Sequence, residues 1–192
     1  DCRRWGLEAA AALGVCPDEI VGDLDTVNPA LFDSYRRKPG IELEITAGKD
    51  ETDTELALLT AGRKGFHAVH LLGALGGRMD HALGNVQLLN QCLQNDVHAE
   101  IYDEKNESIY RPADRRSQES GSMGNISFLP LTESVEGITL TGFKYPLSNK
   151  TIHLGTSLCI SNELTGEKGS LEFKRAFSSA LEPRHDWMKK LE

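Results

Sequence analysis

In the first hundred residues, short apolar runs alternate with longer stretches in which apolar residues recur every three or four positions. The short runs predict β-strands and the longer stretches predict amphipathic helices. The predicted helices cover residues 5–13, 29–37, 52–64 and 78–94, and the predicted strands cover residues 19–21, 41–46, 67–72 and 97–102. Strict alternation of strand and helix is typical of α/β proteins. We therefore predict a parallel sheet that is covered by helices on both faces, with residues 67–72 as a buried strand.

Two of the predicted helices begin with recognisable capping residues. Asn28 precedes Pro29, which predicts an N-cap followed by proline at the first helical position. Thr52 and Glu55 have the spacing of a capping box. Both helix starts are therefore fixed by local sequence.

The pattern changes after about residue 108. Residues 111–124 are polar and lack periodicity, which predicts an exposed linker. Short runs separated by turn residues follow, at residues 125–129, 137–141, 151–154, 158–161 and 170–174. They predict a small antiparallel β-sandwich or barrel. We divide the chain into an N-terminal α/β domain at residues 1–110, a C-terminal β-sandwich domain at residues 120–175 and an unplaced tail at residues 176–192, for which a helix is one option.

Composition excludes several classes of protein. The net charge of −8 argues against a nucleic-acid-binding protein, because a phosphate backbone requires a basic surface. No apolar run approaches the roughly 18 residues of a membrane span. The chain begins at Asp1 without a signal peptide or a methionine, so we expect a trimmed start. Four scattered cysteines without paired metal-site spacing predict reduced, buried thiols in a cytoplasmic protein.

Acidic residues follow the predicted strands in three places. Asp23 and Asp25 come directly after the first strand, Asp53 follows the second, and Asp80 follows the third. The carboxyl ends of parallel strands meet at one edge of a sheet, where open α/β folds bind their ligands. Two carboxylates about 4 Å apart repel by about 4 kcal/mol at an effective dielectric constant near 20, so such a cluster attracts a cation. Oxygen ligands alone favour Mg²⁺ bound together with phosphates.

The third acidic segment also has the sequence of an anion site. Glycines at 73, 76 and 77 separate a strand from a helix, and a helix N-terminus favours a phosphate group. Arg78, Asp80 and His81 lie at the start of this helix. Each residue alone also has an ordinary interpretation. A single Asp after a strand is often a turn or cap residue, as Thr52 and Asp53 can be; His81 fits a structural hydrogen-bonding role, and Arg78 fits a solvated helix start.

Four ordered segments resemble the signature blocks of thiamine pyrophosphokinases. They are Gly-Asp-Leu-Asp-Thr at 22–26, Lys-Asp-Glu-Thr-Asp-Thr-Glu at 49–55 and Gly-Gly-Arg-Met-Asp-His-Ala-Leu-Gly-Asn at 76–85, followed by Gly-Phe-Lys-Tyr-Pro-Leu at 142–147 and Gly-Thr-Ser-Leu-Cys-Ile-Ser-Asn-Glu at 155–163. The resemblance implies an α/β nucleotide domain followed by a β-sandwich. It also implies transfer of pyrophosphate from ATP to thiamine, in a homodimer with thiamine in the subunit cleft.

The resemblance also implies roles for individual residues. Asp23, Asp25 and Asp53 would hold Mg²⁺ and the ATP phosphates, and Lys49 and Thr52 would contact phosphate. Arg78 and Asp80 would lie beside the reacting groups, with Asp53 as a third catalytic residue. The thiamine pocket would be lined by Ser157, Ser161 and Asn162.

Two positions depart from the family pattern. Gly48 stands where an Asp is usual, and no strand ending in Ala-Asp-Gly-Gly precedes Cys2. Two other functions remain open from the sequence. One is a pyrophosphokinase that acts on a hydroxymethylpterin, and the other is a nucleotide-binding module without turnover.

Overall fold

The computed structural model describes the backbone of residues 6–23, 27–45, 50–75, 78–102, 106–111, 117–120, 125–174 and 178–183. Side chains are described for the same residues except 106–111, 117–120 and 178–183. Two predicted site residues, Asp25 and Lys49, lie outside the described residues, as do Cys2 and residues 184–192 of the tail.

All eight elements predicted for the first hundred residues are present, with bounds within one residue of those predicted. They are α1 (Gly6–Ala12), β1 (Glu19–Gly22), α2 (Pro29–Arg36), β2 (Glu42–Ile45), α3 (Asp53–Arg63), β3 (Ala68–Leu72), α4 (Met79–Gln94) and β4 (His98–Tyr102).

The predicted caps are present at both helix starts. The Asn28 side chain accepts hydrogen bonds from the backbone N–H groups of Ala30 and Leu31, and Thr52 Oγ1 accepts one from Glu55 N–H. The Glu55 carboxylate accepts a hydrogen bond from Gln91 of α4. One half of the predicted capping box is therefore confirmed, and its glutamate links α3 to α4.

The prediction of one parallel sheet covered on both faces is wrong for the described residues. β1 and β2 form a parallel pair of their own, whereas β3 and β4 are a parallel pair within a six-stranded mixed sheet. The exposed face of β3 includes His70 and Leu72, the latter with 61% of its surface accessible. The prediction from apolar composition that this strand is buried is therefore wrong for one of its faces, because no helix covers that face within the described ranges.

Helix α3 packs against both parallel pairs. Leu58 joins a core made by α4 and β4, whose buried members include Leu89, Cys92 and Ile101. On the other side, the end of α3 holds the β1–β2 pair through polar contacts: Thr60 Oγ1 donates to Glu44 (2.8 Å), and Lys64 lies 2.9 Å from Glu19. The start of α3 is thereby fixed beside the carboxyl end of β1. A separate small core of Leu7, Ile20 and Tyr35 packs α1 and α2 against β1.

From residue 106 onwards the chain forms antiparallel strands. They are β5 (Asn106–Arg111), β6 (Ser117–Ser120), β7 (Asn125–Pro130), β8 (Ser134–Thr141), β9 (Leu147–His153), β10 (Asn162–Glu163), β11 (Lys168–Glu172) and β12 (Ser178–Pro183). A four-stranded sheet has the order β6-β11-β8-β9. Its side chains share one core with those of β7 in the six-stranded sheet. Two face-to-face sheets therefore enclose the core of this half.

Two predictions for the second half are wrong, and part of the unplaced tail has a defined structure. Residues 117–120 of the predicted linker form β6, which pairs with β11. Residues 158–161 form turns, because Leu158 N–H is bonded to Thr156 Oγ1 and Ile160 N–H to the Ser157 carbonyl. Residues 178–183 of the tail form a strand and not a helix. This strand, β12, pairs with both β5 and β7.

The six-stranded sheet has the order β10-β7-β12-β5-β4-β3 and continues from one half of the chain into the other. β4 and β5 belong to the first 111 residues, whereas β7 and β10 belong to the second half. The tail strand β12 lies between β5 and β7. A strand from the end of the chain therefore joins the two halves through hydrogen bonds.

The cysteines differ in their exposure. Cys92 and Cys159 are buried, and burial raises the pKa of both thiols, whereas Cys16 is exposed. The prediction of buried thiols is thus confirmed for two residues and wrong for Cys16. Within the described part of the chain, no helix combines the length and the hydropathy that a membrane crossing requires.

Candidate active site

The carboxyl end of β1 meets the first residue of α3. Asp23 N–H donates a hydrogen bond to Asp53 Oδ1 at 3.3 Å, and both side chains are exposed. Thr52, the N-cap of α3, lies next to them and is also exposed. Two of the predicted acidic segments therefore lie in contact beside a helix N-terminus, which favours bound anions.

Gly22 allows this close approach of β1 to Asp53. Its φ is 146°, and a Cβ atom built there would lie 3.0 Å from Asp53 Cγ. An L-residue at this φ is strained, and its side chain would displace the Asp53 carboxylate. Gly22 belongs to the segment at residues 22–26 that resembles the family pattern, but only its backbone angle shows why glycine is needed there.

Gly22→Ala is expected to destabilise the protein by about 1–3 kcal/mol. Because the carboxylate is displaced, kcat should also fall. Denaturant unfolding and steady-state kinetics measure the two effects. The matched control is Gly62→Ala in α3, where a Cβ atom would lie an ordinary 3.7 Å from Val97 Cγ2. It should gain up to about 1 kcal/mol from helix propensity. Wild-type stability and kcat for Gly22→Ala would contradict the assigned role.

Arg78 and Asp80 form a two-point ion pair at the start of α4. Arg78 Nε donates to Asp80 Oδ1 at 3.0 Å, and the guanidinium makes a second, short contact with Oδ2. His81 N–H also donates to Asp80 Oδ1 at 3.0 Å. The Arg78 hydrogen bond is the main cause that lowers the pKa of Asp80 from 3.8 to about 2. Asp80 is therefore charged at neutral pH and is a weak base.

The carboxyl carbon of Asp80 should titrate with a midpoint near 2 in a carbon-13 NMR experiment. Because the folded-state pKa lies below the usual value, the pair stabilises the fold above about pH 4, and this contribution is lost as the pH falls towards 2. Arg78→Met should return the midpoint towards 3.8. A wild-type midpoint of 4 or above would contradict the ion pair in solution.

Asn85 fixes the glycine segment to α4. Its Nδ2 atom donates to the Ala74 carbonyl at 2.8 Å, across the turn between β3 and α4. Sequence reasoning placed Asn85 in a recognised segment without giving it a role. The sequence did contain a signal for this role, because Asn85 is a polar residue on the half-buried face of an amphipathic helix.

The three residues predicted for the second site lie in one loop and the start of β10, but their environments differ. Ser157 and Ser161 are exposed, and Ser161 N–H donates to Ser127 Oγ of β7 at 3.0 Å. Asn162 is buried, with 2% of its surface accessible. The loop therefore presents the two serines to solvent, while Asn162 points into the protein.

Arg78 and Asp80 follow a strand at one edge of the six-stranded sheet, and Asn162 lies in the strand at its other edge, whereas Asp23 and Asp53 lie outside this sheet, at the end of β1 and the start of α3. β3 leads to Arg78 and Asp80 at one edge, and β10 contains Asn162 at the other. Five strand spacings separate these edges, which amounts to about 24 Å at about 4.8 Å per spacing. One chain therefore keeps Arg78 and Asp80 apart from Asn162 along its sheet.

The acidic residues form a pair, and not a larger cluster, in the part of the chain that is described. Asp23 and Asp53 are in contact, but among the described residues no group of three or more His, Cys, Asp or Glu side chains is arranged so that it could hold a metal ion. An exposed pair of carboxylates fits Mg²⁺, which is commonly held by one or two carboxylates together with phosphates and water. The donor chemistry of this edge therefore fits the predicted ion.

Two family models match the chain. Residues 5–101 match the model described as thiamin pyrophosphokinase, catalytic domain, and residues 115–177 match thiamin pyrophosphokinase, vitamin B1 binding domain. The strands β5 and β12, which pair with each other, lie outside both matched ranges.

Similar proteins cover most of the chain. Thiamine pyrophosphokinase of Bacillus subtilis is 36% identical over 168 residues, which are 84% of this chain and 76% of that protein. Its crystal structure has a TM-score of 0.85 and covers 94% of this chain and 85% of that one. The crystal structure of thiamin pyrophosphokinase from Geobacillus thermodenitrificans has a TM-score of 0.80 at 32% identity and covers 94% of this chain and 83% of that one.

These similarities agree in sequence and in three dimensions. The mixed α/β fold is that of the matched structures. The matched ranges include the contact between Asp23 and Asp53 in the first half. In the second half they include the loop at residues 154–161, which contains Ser157 and Ser161 and is called the serine loop below. The chain belongs to the thiamine pyrophosphokinase family.

Proposed function

We propose that this protein transfers a pyrophosphoryl group from ATP to thiamine, which gives thiamine diphosphate and AMP. The observation that carries the proposal is the contact between Asp23 and Asp53 beside the start of α3, in a chain that belongs to this family. The match to a vitamin B1 binding domain favours thiamine over a hydroxymethylpterin as the acceptor.

The reaction exchanges one phosphorus–oxygen bond for another. The oxygen of the thiamine hydroxyl forms a bond to the β-phosphorus of ATP, the bond from that phosphorus to the α-phosphate oxygen breaks, and AMP leaves. The hydroxyl proton passes to a base or to solvent. Such a transfer depends mainly on the positions of the reactants and on electrostatic stabilisation of the phosphate oxygens.

The phosphate side of the site is assigned to the first half of the chain. Asp23, Asp25 and Asp53 would hold Mg²⁺, which neutralises charge on the phosphate oxygens when bound. Lys49 would contact phosphate as a point charge. Thr52 Oγ1 already accepts the helix-capping hydrogen bond, so its O–H is left to donate to a phosphate oxygen.

Arg78 and Asp80 act as a pair beside the reacting groups. Arg78 would contribute positive charge to the transferring phosphate. Asp80, whose pKa is about 2 because of the Arg78 hydrogen bond, would orient the thiamine hydroxyl by accepting a hydrogen bond without removing its proton at neutral pH. This refines the predicted role of Asp80.

The thiamine side is assigned to the exposed serines, Ser157 and Ser161, of the second half. Because the strand before Arg78 and Asp80 and the strand that contains Asn162 lie about 24 Å apart at the two edges of one sheet, we infer a two-fold homodimer in which each site joins the first half of one protomer to the second half of its partner. A two-fold axis produces two equivalent sites of this kind.

One incubation tests the proposed function. The protein is mixed with ATP, Mg²⁺ and thiamine, and the nucleotides and thiamine phosphates are separated by chromatography. AMP and thiamine diphosphate are expected in equal amounts, since the β-phosphorus is attacked. ADP with thiamine monophosphate would overturn pyrophosphoryl transfer. Absence of thiamine-dependent turnover would favour a binding module, and turnover with a hydroxymethylpterin in place of thiamine would favour the other acceptor.

A further inference from the structure

We propose that Asn162 is a positioning residue for thiamine recognition: it fixes the turn at residues 143–147 against the serine loop and does not itself contact thiamine. The inference rests on the proposed function for its substrate. It deepens that function by replacing the ligand role that the family resemblance implies for Asn162 with a role through the protein backbone.

The Asn162 side chain is bonded to both backbone groups of one residue in the turn. Tyr145 N–H donates to Asn162 Oδ1 at 2.9 Å, and Asn162 Nδ2 donates to the Tyr145 carbonyl at 2.9 Å. Oδ1 also accepts from Glu163 N–H at 3.0 Å. The carboxamide therefore makes the same pair of hydrogen bonds with Tyr145 that a neighbouring strand would make.

These bonds use most of the capacity of the side chain. Oδ1 has two lone pairs and accepts two backbone hydrogen bonds, and one of the two N–H groups of Nδ2 is donated to the Tyr145 carbonyl. The residue is 2% exposed. Removing the carboxamide would leave part-buried backbone groups unpaired, which is costlier than the loss of a fully exposed hydrogen bond.

Further contacts hold the turn next to Asn162. Together with the three hydrogen bonds of Asn162, we call them the clamp. Lys144 N–H donates to the Glu163 carbonyl at 2.8 Å, and Lys144 Nζ lies 2.9 Å from the Glu163 carboxylate. Gly142, with a φ of 82°, begins the turn, and a Cβ atom there would lie 2.6 Å from the Lys168 carbonyl oxygen. The turn therefore approaches the backbone of two other segments closely and has a defined position.

Exposed side chains lie on both segments that the clamp connects, the turn and the serine loop. The Tyr145 side chain is 55% exposed, and Ser161, directly before Asn162, is exposed as well. Ser161 has a positive φ of 57° and is fixed to β7 by its N–H group. The relative position of the turn and the serine loop is thus set by the buried side chain between them. Loss of that side chain should weaken thiamine binding and leave ATP binding unchanged, because the proposed ATP-binding residues belong to the first half of the chain.

Two variants separate this role from a direct contact. Asn162→Ala removes all three hydrogen bonds. Asn162→Asp keeps an acceptor for the Tyr145 and Glu163 N–H groups but loses the donor to the Tyr145 carbonyl. Val135→Ala is the control for stability, since Val135 is fully buried at the start of β8, whereas the turn follows the end of β8.

Amide hydrogen exchange of residues 143–147 in the ligand-free protein and steady-state kinetics are the readouts. Asn162→Ala should accelerate exchange of the Tyr145 amide at least about tenfold and raise the KM for thiamine at least about tenfold, with the KM for ATP within about twofold of wild type. Asn162→Asp should keep the Tyr145 amide protected and show a smaller rise in the KM for thiamine. Val135→Ala should change neither the local exchange nor the ratio of the two KM values.

Unchanged exchange at Tyr145 in Asn162→Ala would overturn the clamp. Equal rises of both KM values, with the same effect in Val135→Ala, would show general destabilisation and also overturn the proposal. An equally high KM for thiamine in Asn162→Asp and Asn162→Ala, with the turn protected in both, would show direct contact through the amide. If wild type turns over no thiamine, the proposed function fails while the exchange result still decides the clamp.

Discussion

Replacing Asp53 by Asn should lower kcat for thiamine diphosphate formation more than about a hundredfold, and Asp25→Ala should do the same, because each removes a charge that positions Mg²⁺ and phosphate. Asp53→Asn keeps the shape and an oxygen acceptor for Asp23 N–H, which lies 3.3 Å away. The fold should therefore survive. Steady-state kinetics at saturating Mg²⁺, with circular dichroism for the fold, make the measurement.

Glu51→Ala is the matched control for Asp53. Glu51 is an exposed acidic residue two positions earlier, on the other side of the N-cap Thr52. Its removal changes net charge as much as Asp53→Asn does, so the two variants share any non-specific electrostatic effect. We expect a mild change in kcat. Near-normal turnover of Asp53→Asn, or an equal loss in both variants, would place the phosphate site elsewhere.

Mixing two inactive variants should restore about a quarter of wild-type activity. Asp53→Asn inactivates the phosphate side and Ser157→Tyr blocks the thiamine side of the proposed shared site. After the two are unfolded and refolded together, random assembly gives half mixed dimers. In each mixed dimer one site collects both substitutions and the other collects neither. Half the dimers with one intact site of two give the expected quarter.

Absence of recovered activity would show that each active site lies within one chain. If each site lay within one chain, every site would carry one substitution, and no activity would return. Differently tagged variants allow mixed dimers to be isolated by two affinity steps before the assay. Purified mixed dimers should then have about half of wild-type activity. Mixed dimers without activity would refute the shared site, and absence of any dimer would refute the assembly itself.

The elements of the first half were predictable because the signals for them are local. Asn28 caps α2 as its position before proline predicts, and Thr52 caps α3 in the same way. Hydrophobic periodicity fixes such boundaries without knowledge of the partner element. The contact between Asp23 and Asp53 follows from the same reasoning, since residues after neighbouring parallel strands meet at one edge.

Strand pairing in the second half was harder to predict because it depends on distant partners. Leu158, Cys159 and Ile160 alternate between exposed and buried as a strand would, yet the N–H groups of Leu158 and Ile160 are used in turns, and the Cys159 carbonyl accepts a hydrogen bond from Phe128 N–H of β7. In contrast, Ser117–Ser120 has no apolar residue and is a strand because β11 supplies hydrogen bonds. Local composition cannot distinguish these cases.

The finer details of the site were also beyond the sequence. Spacing placed Arg78 and Asp80 together but did not show that they neutralise each other, which makes Asp80 a weak base. The sequence likewise put Asn162 among possible ligands, and only its burial and three backbone hydrogen bonds identify the turn as its partner. Roles of this kind depend on where a side chain points, which the sequence does not show.

The position of β12 has a consequence for biosynthesis. Residues 178–183 fill the space between β5 and β7, which end much earlier in the sequence, at Arg111 and Pro130. During translation, the edges of β5 and β7 that later pair with β12 must therefore remain without it until residues 178–183 have left the ribosome. Unpaired strand edges are sites of wrong association, and pairing between distant segments is slow. Because β12 is synthesised after both of its neighbours, it completes this sheet late, and the nascent protein depends on it for protection against aggregation.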